Sequence, residues 1–366
     1  MTTEAISISD EDREALRDSI RSVLAQEAGS SDIHAHIDGK ATLDASLWRQ
    51  AGDLGWTAIA LPETYGGFGF GAAGSVILNH ELGRACAPGP FLPTVVGAQV
   101  LADCADADIC EAWLPQIISA AASIAIPATP CGATPMALAA GKVSGVLTML
   151  GAPDASLALV PLESGALAAI ELSASQCEPQ DFWDRTRSVV RLTLADAQPA
   201  ALLPDHATAA LRDAFALAVA ADSVGLSRSI VEKTIAYMQE REQFGRPIGS
   251  FQALKHRVVD LVAKVEIAEH IVDNAADCAL VGDPSAGMWA ALAKAEASDA
   301  AAFIAGDCVQ LHGGVGFTWE FDVHIHLKRA RLNQMLVAGN EKLRDLAAQE
   351  LAECTRAGVS TLELAF

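Results

Sequence analysis

Apolar residues recur at helical spacing at both ends of this chain and in short strand-like runs in its middle. Near the N-terminus Leu16, Ile20, Val23 and Leu24 share one helical face, and Ser9 or Asp10 stands where an N-cap is needed. Leu61-Pro62-Glu63-Thr64-Tyr65-Gly66-Gly67-Phe68-Gly69 predicts a loop, because a proline and three glycines interrupt any regular element. Helix resumes through Ile77, Leu78 and Leu82 to Arg84. From about Ser119 to Leu203 the pattern changes to short runs such as Val146 to Leu150, Leu157 to Val160 and Val189 to Leu192, divided by Gly, Pro, Asp and Ser. These predict strands of a small β domain with no long helix. From Asp205 the helical period returns. Leu254, Val258, Leu261, Val265, Ala268 and Val272 step by four and three along a bundle seam. Further helices are expected over about Ala286 to Val309 and Arg329 to Ala357. The pattern therefore divides the chain into an all-α part (1–118), a small β domain (119–203) and a helical bundle (204–366), without internal repeats or low-complexity linkers.

Composition narrows the function classes. The 366 residues are 51% hydrophobic but only 5% aromatic, so the cores must be built from Ala, Leu and Val. A net charge of −21 repels phosphate backbones, and nucleic acid is not an expected partner. A small anionic ligand in a locally basic pocket stays open. Cysteines at 86, 104, 110, 131, 177, 278, 308 and 354 show no C-x-x-C spacing, as expected of reduced thiols in a cytoplasmic protein. The N-terminus lacks the basic start and apolar core of a signal peptide. Residues 117–141 carry no charge, but Pro127, Pro130, Gly132 and Pro135 interrupt them, so buried strand and turn are expected there, not a membrane span.

Two segments carry chemistry. In Arg241-Glu242-Gln243-Phe244-Gly245-Arg246-Pro247-Ile248-Gly249-Ser250-Phe251-Gln252 a long helix is expected to end at Gly245, turn through Pro247 and Gly249, and restart near Ser250. An arginine fork and the free N–H groups of a helix N-terminus both suit a pyrophosphate. Arg241, Arg246, Lys255, His256 and Arg257 form a basic island in an acidic chain. On these grounds alone an ordinary helix–turn–helix with a solvated charge cluster fits equally. In Gln310-Leu311-His312-Gly313-Gly314-Val315-Gly316-Phe317 a helix stops at paired glycines, which by itself is a helix C-cap. One antiparallel helix pair fits between the two segments, so both can reach one surface.

Together these residues resemble the acyl-CoA dehydrogenase family over nearly the whole chain. Leu61-Pro62-Glu63-x-Tyr65-Gly66-Gly67-x-Gly69 and Glu81-Leu82-Gly83-Arg84 look like its N-terminal domain, and Arg241-x-Gln243-Phe244-Gly245 and Gln310-x-x-Gly313-Gly314-x-Gly316 like its C-terminal signatures. The resemblance implies an N-terminal all-α domain, a middle small β domain and a C-terminal four-helix bundle. It implies α,β-dehydrogenation of an acyl-CoA thioester. A glutamate takes the α-proton, a hydride passes to FAD, and hydrogen bonds to the thioester oxygen acidify the α-carbon. An electron-transfer flavoprotein is the implied acceptor. In the family the dinucleotide crosses a subunit boundary. Its adenine and pyrophosphate would meet Arg241, Gln243, Phe244, Phe251, Gln252, Gln310, Gly313 and Gly314 of this chain, while its ring belongs to the other subunit.

The departures from the pattern fall in one place. Counting from Gly313, the catalytic carboxylate position is Val337, which accepts no proton. The alternative position used by other members is Phe215, with Asp213 two residues away on a different helix face. The stretch that contacts the flavin ring corresponds to Pro127-Ala128-Thr129-Pro130-Cys131-Gly132-Ala133 and lacks the family's Glu and Ser-Asp. The Trp-x-Thr strand behind the ring is replaced by something like Leu147-Thr148-Met149-Leu150. Groups that would serve the chain's own ring site are lost, and groups that would serve a neighbour are kept. That combination resembles the degenerate subunit of α2β2 steroid side-chain acyl-CoA dehydrogenases, with a partner subunit of the same family supplying the ring pocket and the carboxylate. Two alternatives remain. One is a self-sufficient homo-oligomer with a relocated base, Asp213 or Glu341, the latter one turn (roughly 5 Å) beyond Val337. The other is a flavin-free scaffold, which retention of Arg241, Phe244, Gln310 and both glycines disfavours. His324-x-His326 has no third metal ligand near in sequence, and His34 and His36 lie in a polar loop. Lys328, Arg329 and Arg331 are expected on a face toward solvent, a partner or CoA phosphates.

Overall fold

A computed structural model describes residues 9–40, 43–131, 134–173, 176–319 and 321–356. Gly132, Ala133 and Ala357 lie outside the described residues. The N-terminal part is helical: α1 (Asp10–Glu27), α2 (Ser30–Ile37), α3 (Leu43–Asp53), α4 (Gly71–Ala85), α5 (Phe91–Cys104) and α6 (Ala107–Ile118). Ser9 caps α1, its Oγ accepting from the Asp12 backbone N–H at 3.2 Å. Ile20 and Leu24 bury the expected face. The Pro/Gly-rich loop before α4 contains one 3-10 turn, Glu63–Tyr65, and is otherwise irregular.

The middle part is a sheet of β1 (Ile124–Pro127), β2 (Leu138–Ala139), β3 (Lys142–Leu150), β4 (Leu157–Pro161), β5 (Leu167–Glu171), β6 (Cys177–Pro179), β7 (Val189–Ala197) and β8 (Ala201–Leu203). The order is β6-β7-β3-β1-β4-β5-β8, with β2 on β3. Only β1–β4 is parallel among the pairs described. β1 and β4 are buried along their whole length, and α5 packs directly on β1. β7 alternates buried and exposed from Val190 to Ala195, as a half-covered strand should. The sheet is therefore whole. The middle part keeps eight paired strands among the described residues.

The C-terminal part holds α7 (Ala207–Glu240), the short strands β9 (Glu242–Gln243) and β10 (Arg246–Pro247), α8 (Gln252–Val281), α9 (Ala286–His312), α10 (Val323–Met335) and α11 (Asn340–Arg356). α9 packs against α7, α8, α10 and α11. α7 is long and apolar enough to cross a membrane by length and composition, yet 89% of its apolar window is buried here, among α4, α5, α8 and α9. Its crossing with α4 runs through two glycines. A Cβ on Gly83 would lie 2.2 Å from Asp222 O, and one on Gly225 would lie 1.9 Å from His80 O. The expected α8 seam is buried from Val258 to Val272, with Leu254 half-buried.

Two sequence expectations are corrected. α7 ends at Glu240 and not at Gly245, because residues 242–247 close as a two-residue β-hairpin with Gln243 paired to Arg246. Phe244 (φ 53°) and Gly245 (φ 75°) both occupy the left-handed region, which matches a type I′ turn. The helix expected over Arg329 to Ala357 is two helices. They are separated at 336–339, where Val337 takes φ 69° and its peptide groups bond to another segment.

Candidate functional site

The end of α7, just before the hairpin, and the end of α9 line one cavity. Arg241 caps α7, and its exposed side chain lines this cavity of about 480 Å³ with Tyr237, His312 and Phe321. Tyr237 stacks on His312 (centroids 4.3 Å, 17°) and donates to His312 O at 3.4 Å, tying α7 to the end of α9. Phe244 stands at the hairpin tip, 91% exposed and in a backbone region that bulky residues avoid. Phe251 lies edge-on to it (6.2 Å), and the Arg246 guanidinium sits 4.1 Å above the Phe251 ring. Gln243, Gln252 and Gln310 are exposed. Added Cβ atoms on Gly313 and Gly314 would meet nothing within 4 Å, so the α9 terminus is open on that side. Ser250 Oγ, just before α8, is buried without a hydrogen-bond partner. Guanidinium, amides, open glycine backbone and an orphaned hydroxyl form a donor set that fits the ADP half of a dinucleotide.

The opposite end of the bundle is closed. Val337 is fully buried at the α10–α11 break. Its N–H donates to Ala128 O at 2.9 Å, and its carbonyl accepts from Cys131 N–H at 3.3 Å. Lys342 Nζ donates to Cys131 O. The segment leaving β1 is thus laced to the segment where a base would stand. Beneath it lies a buried lysine that the sequence reading missed. Lys294 Nζ donates to Gln334 O (3.0 Å), Ala338 O (2.9 Å) and Asn340 Oδ1 (2.7 Å). Three acceptors match the three N–H bonds of an ammonium, while burial draws the group down to about 7. The available signal was one charge inside the apolar run Leu292-Ala293-Lys294-Ala295.

The substitute bases are engaged or displaced. Asp213 accepts from Arg212 at 2.6 and 3.0 Å, and Arg212 reaches Glu350 at 3.2 Å. Glu341 is exposed in the first turn of α11. Phe215 is fully buried. His324 and His326 are buried, each with Nδ1 2.9 Å from a backbone carbonyl (Phe321 O and Asp322 O), and burial lowers His326 to about 3. His34 and His36 lie in α2 and not in the expected loop; His34 approaches Asp322 at 3.1 Å, and His36 lies 3.8 Å from Asp44. Arg329 is not on a solvated face. It is 3% exposed and bonded to Asp222 (2.7 and 3.3 Å), Ala87 O and Thr186. Arg187 and Asn333 complete that node on Asp222. Burial opposes the charge on Asp222, but the two guanidiniums hold its carboxyl below the ordinary range. From sequence, Arg329 cannot be told from its exposed neighbour Arg331, which bonds to Gln334 in the next turn.

Comparison with known proteins places this α–β–α chain among the flavoprotein oxidoreductases. Residues 10–121 match the acyl-CoA dehydrogenase N-terminal domain, and residues 212–352 match the acyl-CoA dehydrogenase C-terminal domain. The chain is 33% identical over 345 residues to acyl-CoA dehydrogenase IpdE2 of Mycobacterium tuberculosis, covering 93% of this chain and 97% of that one. A solved structure of a Tcur3481-Tcur3483 steroid ACAD variant superposes with TM-score 0.87 at 25% identity, covering 94% of this chain and 99% of that one. The ChsE4-ChsE5 complex from Mycobacterium tuberculosis superposes with TM-score 0.82 at 25% identity, covering 96% and 98%. The chain belongs to the acyl-CoA dehydrogenase family, as its motifs implied, and has that family's order of helical, β and helical parts.

Proposed function

We propose that this chain is the base-lacking subunit of a hetero-oligomeric acyl-CoA dehydrogenase. It holds the adenine and pyrophosphate of an FAD whose ring lies in a partner subunit of the same fold. The observation that carries the reading is the contrast between the two ends of the bundle. At one end Arg241, Phe244, Gln310, Gly313 and Gly314 are exposed. At the other, Val337 is buried and bonded to Ala128 and Cys131. Arg241 would offer its fork to the pyrophosphate and Phe244 an apolar face to the adenine, with Gln243, Phe251, Gln252 and Gln310 around them. Bound FAD would supply the hydride acceptor, and the proton would be taken by a carboxylate of the partner subunit. Two structural neighbours carry paired subunit names, and one of these is a steroid ACAD. That supports an α2β2 assembly acting on a steroid side-chain CoA thioester, with an electron-transfer flavoprotein as acceptor. Val259, Val262 and Ile267 on α8 and Phe303 on α9 are uncovered apolar side chains that a partner would bury.

The test is flavin counting. Co-expressed with a related partner subunit, the assembly is expected to hold half as many flavins as chains, and this chain alone is expected to be colourless. One flavin per chain contradicts the reading. Arg241→Ala is expected to release flavin from the assembly, and full occupancy in that variant removes Arg241 from the clamp.

A further inference from the structure

A second cavity, of about 390 Å³, lies where all three parts of the chain converge. Its walls are Ile37 at the end of α2, Asp181, Phe182, Trp183 and Arg185 between β6 and β7, Trp319 just before α10, and Lys328 within α10. It is distinct from the Arg241 cavity and does not depend on the shared-flavin reading. In a chain with six tryptophans, two meet here, and both are open to solvent: Trp183 is 43% and Trp319 57% exposed. Large aromatic surface is normally buried, so two exposed indoles around one hollow ask for an occupant.

Their surroundings fix them in place. Phe182 packs on Trp183 with centroids 3.8 Å apart, and Trp183 Nε1 donates to Lys328 O at 3.2 Å. The Lys328 ammonium sits 5.5 Å from the Trp319 ring centre. His34 and His324 meet Trp319 edge-on at 5.6 and 4.8 Å. Lys328 thus joins both indoles, by its carbonyl to one and by its charge to the other. No carboxylate pairs with it among the described residues. Arg185 is anchored by one nitrogen to Ile37 O at 3.4 Å and reaches the exposed Asp181 only at 3.9 Å. Asp181 is the one carboxylate of the lining, so the hollow carries two cations, two indoles and one carboxylate in a chain of net charge −21.

We infer that this cavity binds an adenine nucleotide, with the purine against Trp319 and Trp183 and the phosphate on Lys328 and Arg185. Aromatic stacking recognises a planar base, and charge-assisted bonds recognise the phosphate. The nucleotide would be either free or the adenosine 3′,5′-bisphosphate end of a coenzyme. Bound there, it would tie the helical, β and bundle parts together.

The probe is AMP, titrated into the full chain alone and into its assembly with a partner subunit, with tryptophan fluorescence as readout. Saturable quenching is expected, with adenosine at least about tenfold weaker and ribose 5-phosphate silent. Trp319→Ala and Lys328→Glu are each expected to weaken AMP by at least about tenfold, while Trp319→Phe, which keeps a stacking face, retains binding. Unchanged circular dichroism in all three separates loss of binding from loss of fold. Tighter binding of adenosine 3′,5′-bisphosphate than of AMP identifies a coenzyme end as the source, and equal binding a free nucleotide. Four results overturn the proposal. They are no saturable quench, a quench that survives Lys328→Glu, a quench abolished by Arg241→Ala, and tryptophans that become shielded from acrylamide and insensitive to AMP once the partner subunit is bound. The last would mark the hollow as a protein interface.

Discussion

Val337 is a β-branched residue at φ 69°, a conformation it adopts only under constraint. The constraint is visible. Its peptide is hydrogen-bonded on both sides to the segment leaving β1, and Lys294 holds the flanking carbonyl of Ala338 from below. Restoring a carboxylate here should not restore catalysis. Val337→Glu places a charge at a fully buried position, so no dye reduction with acyl-CoA is expected and stability should fall by several kcal/mol. Turnover by that variant without a partner would refute the closed-site reading. Lys294 gives a second expectation. Lys294→Met strands three acceptors, at a cost of about 3–5 kcal/mol in urea unfolding. A loss under about 1 kcal/mol would mean that water replaces the ammonium.

At the scale of elements, the α4–α7 crossing is the least forgiving contact. The Glu81-Leu82-Gly83-Arg84 motif was legible as a family feature, but its physical reason is the approach of two backbones at Gly83 and Gly225. Gly225→Ala puts a methyl group into His80 O and must push the helices apart. A loss of about 3 kcal/mol or more is expected, read as a lower unfolding midpoint. An unchanged midpoint would show that the helices can part at no cost. The hairpin at 242–247 makes the complementary point. Phe244-Gly245 offered a turn signal, yet the pattern was read as a helix running to Gly245. Only one residue of the pair is glycine, and the strain at Phe244 is invisible to propensity.

For the whole molecule, acid should loosen the join between α1 and α4. Glu81 is fully buried between Arg21 and His80, with Arg21 bonding both carboxylate oxygens at 3.0 Å and His80 Nδ1 donating at 2.9 Å. Burial alone would raise this carboxyl, but the His80 and Arg21 bonds bring it down to about 2. Its folded pKa is therefore below its unfolded value of 4.5. Its stabilisation is complete above that value and is lost as pH falls from 4.5 toward 2, up to about 3 kcal/mol. Glu81→Gln should be less stable at neutral pH and flatter across that window. A wild-type midpoint that does not move between pH 5 and 3 would contradict this sign.

Much of this protein was legible in one dimension, because periodicity and turn residues are local. The switch from helical to strand spacing and back, the α8 seam and the family's paired signatures all follow from neighbours along the chain. That an apolar side chain stands at Val337 is likewise a matter of residue type. Tertiary structure alone decided what fills the gap. Ala128 and Cys131 reach Val337 across about two hundred positions, and Lys294, Arg187 and Asp222 become buried partners only when separate segments meet. It also decided that Trp183 and Trp319 share a hollow. Hydrogen bonds and burial between distant segments leave no period in a sequence, so such contacts appear only when the chain is folded.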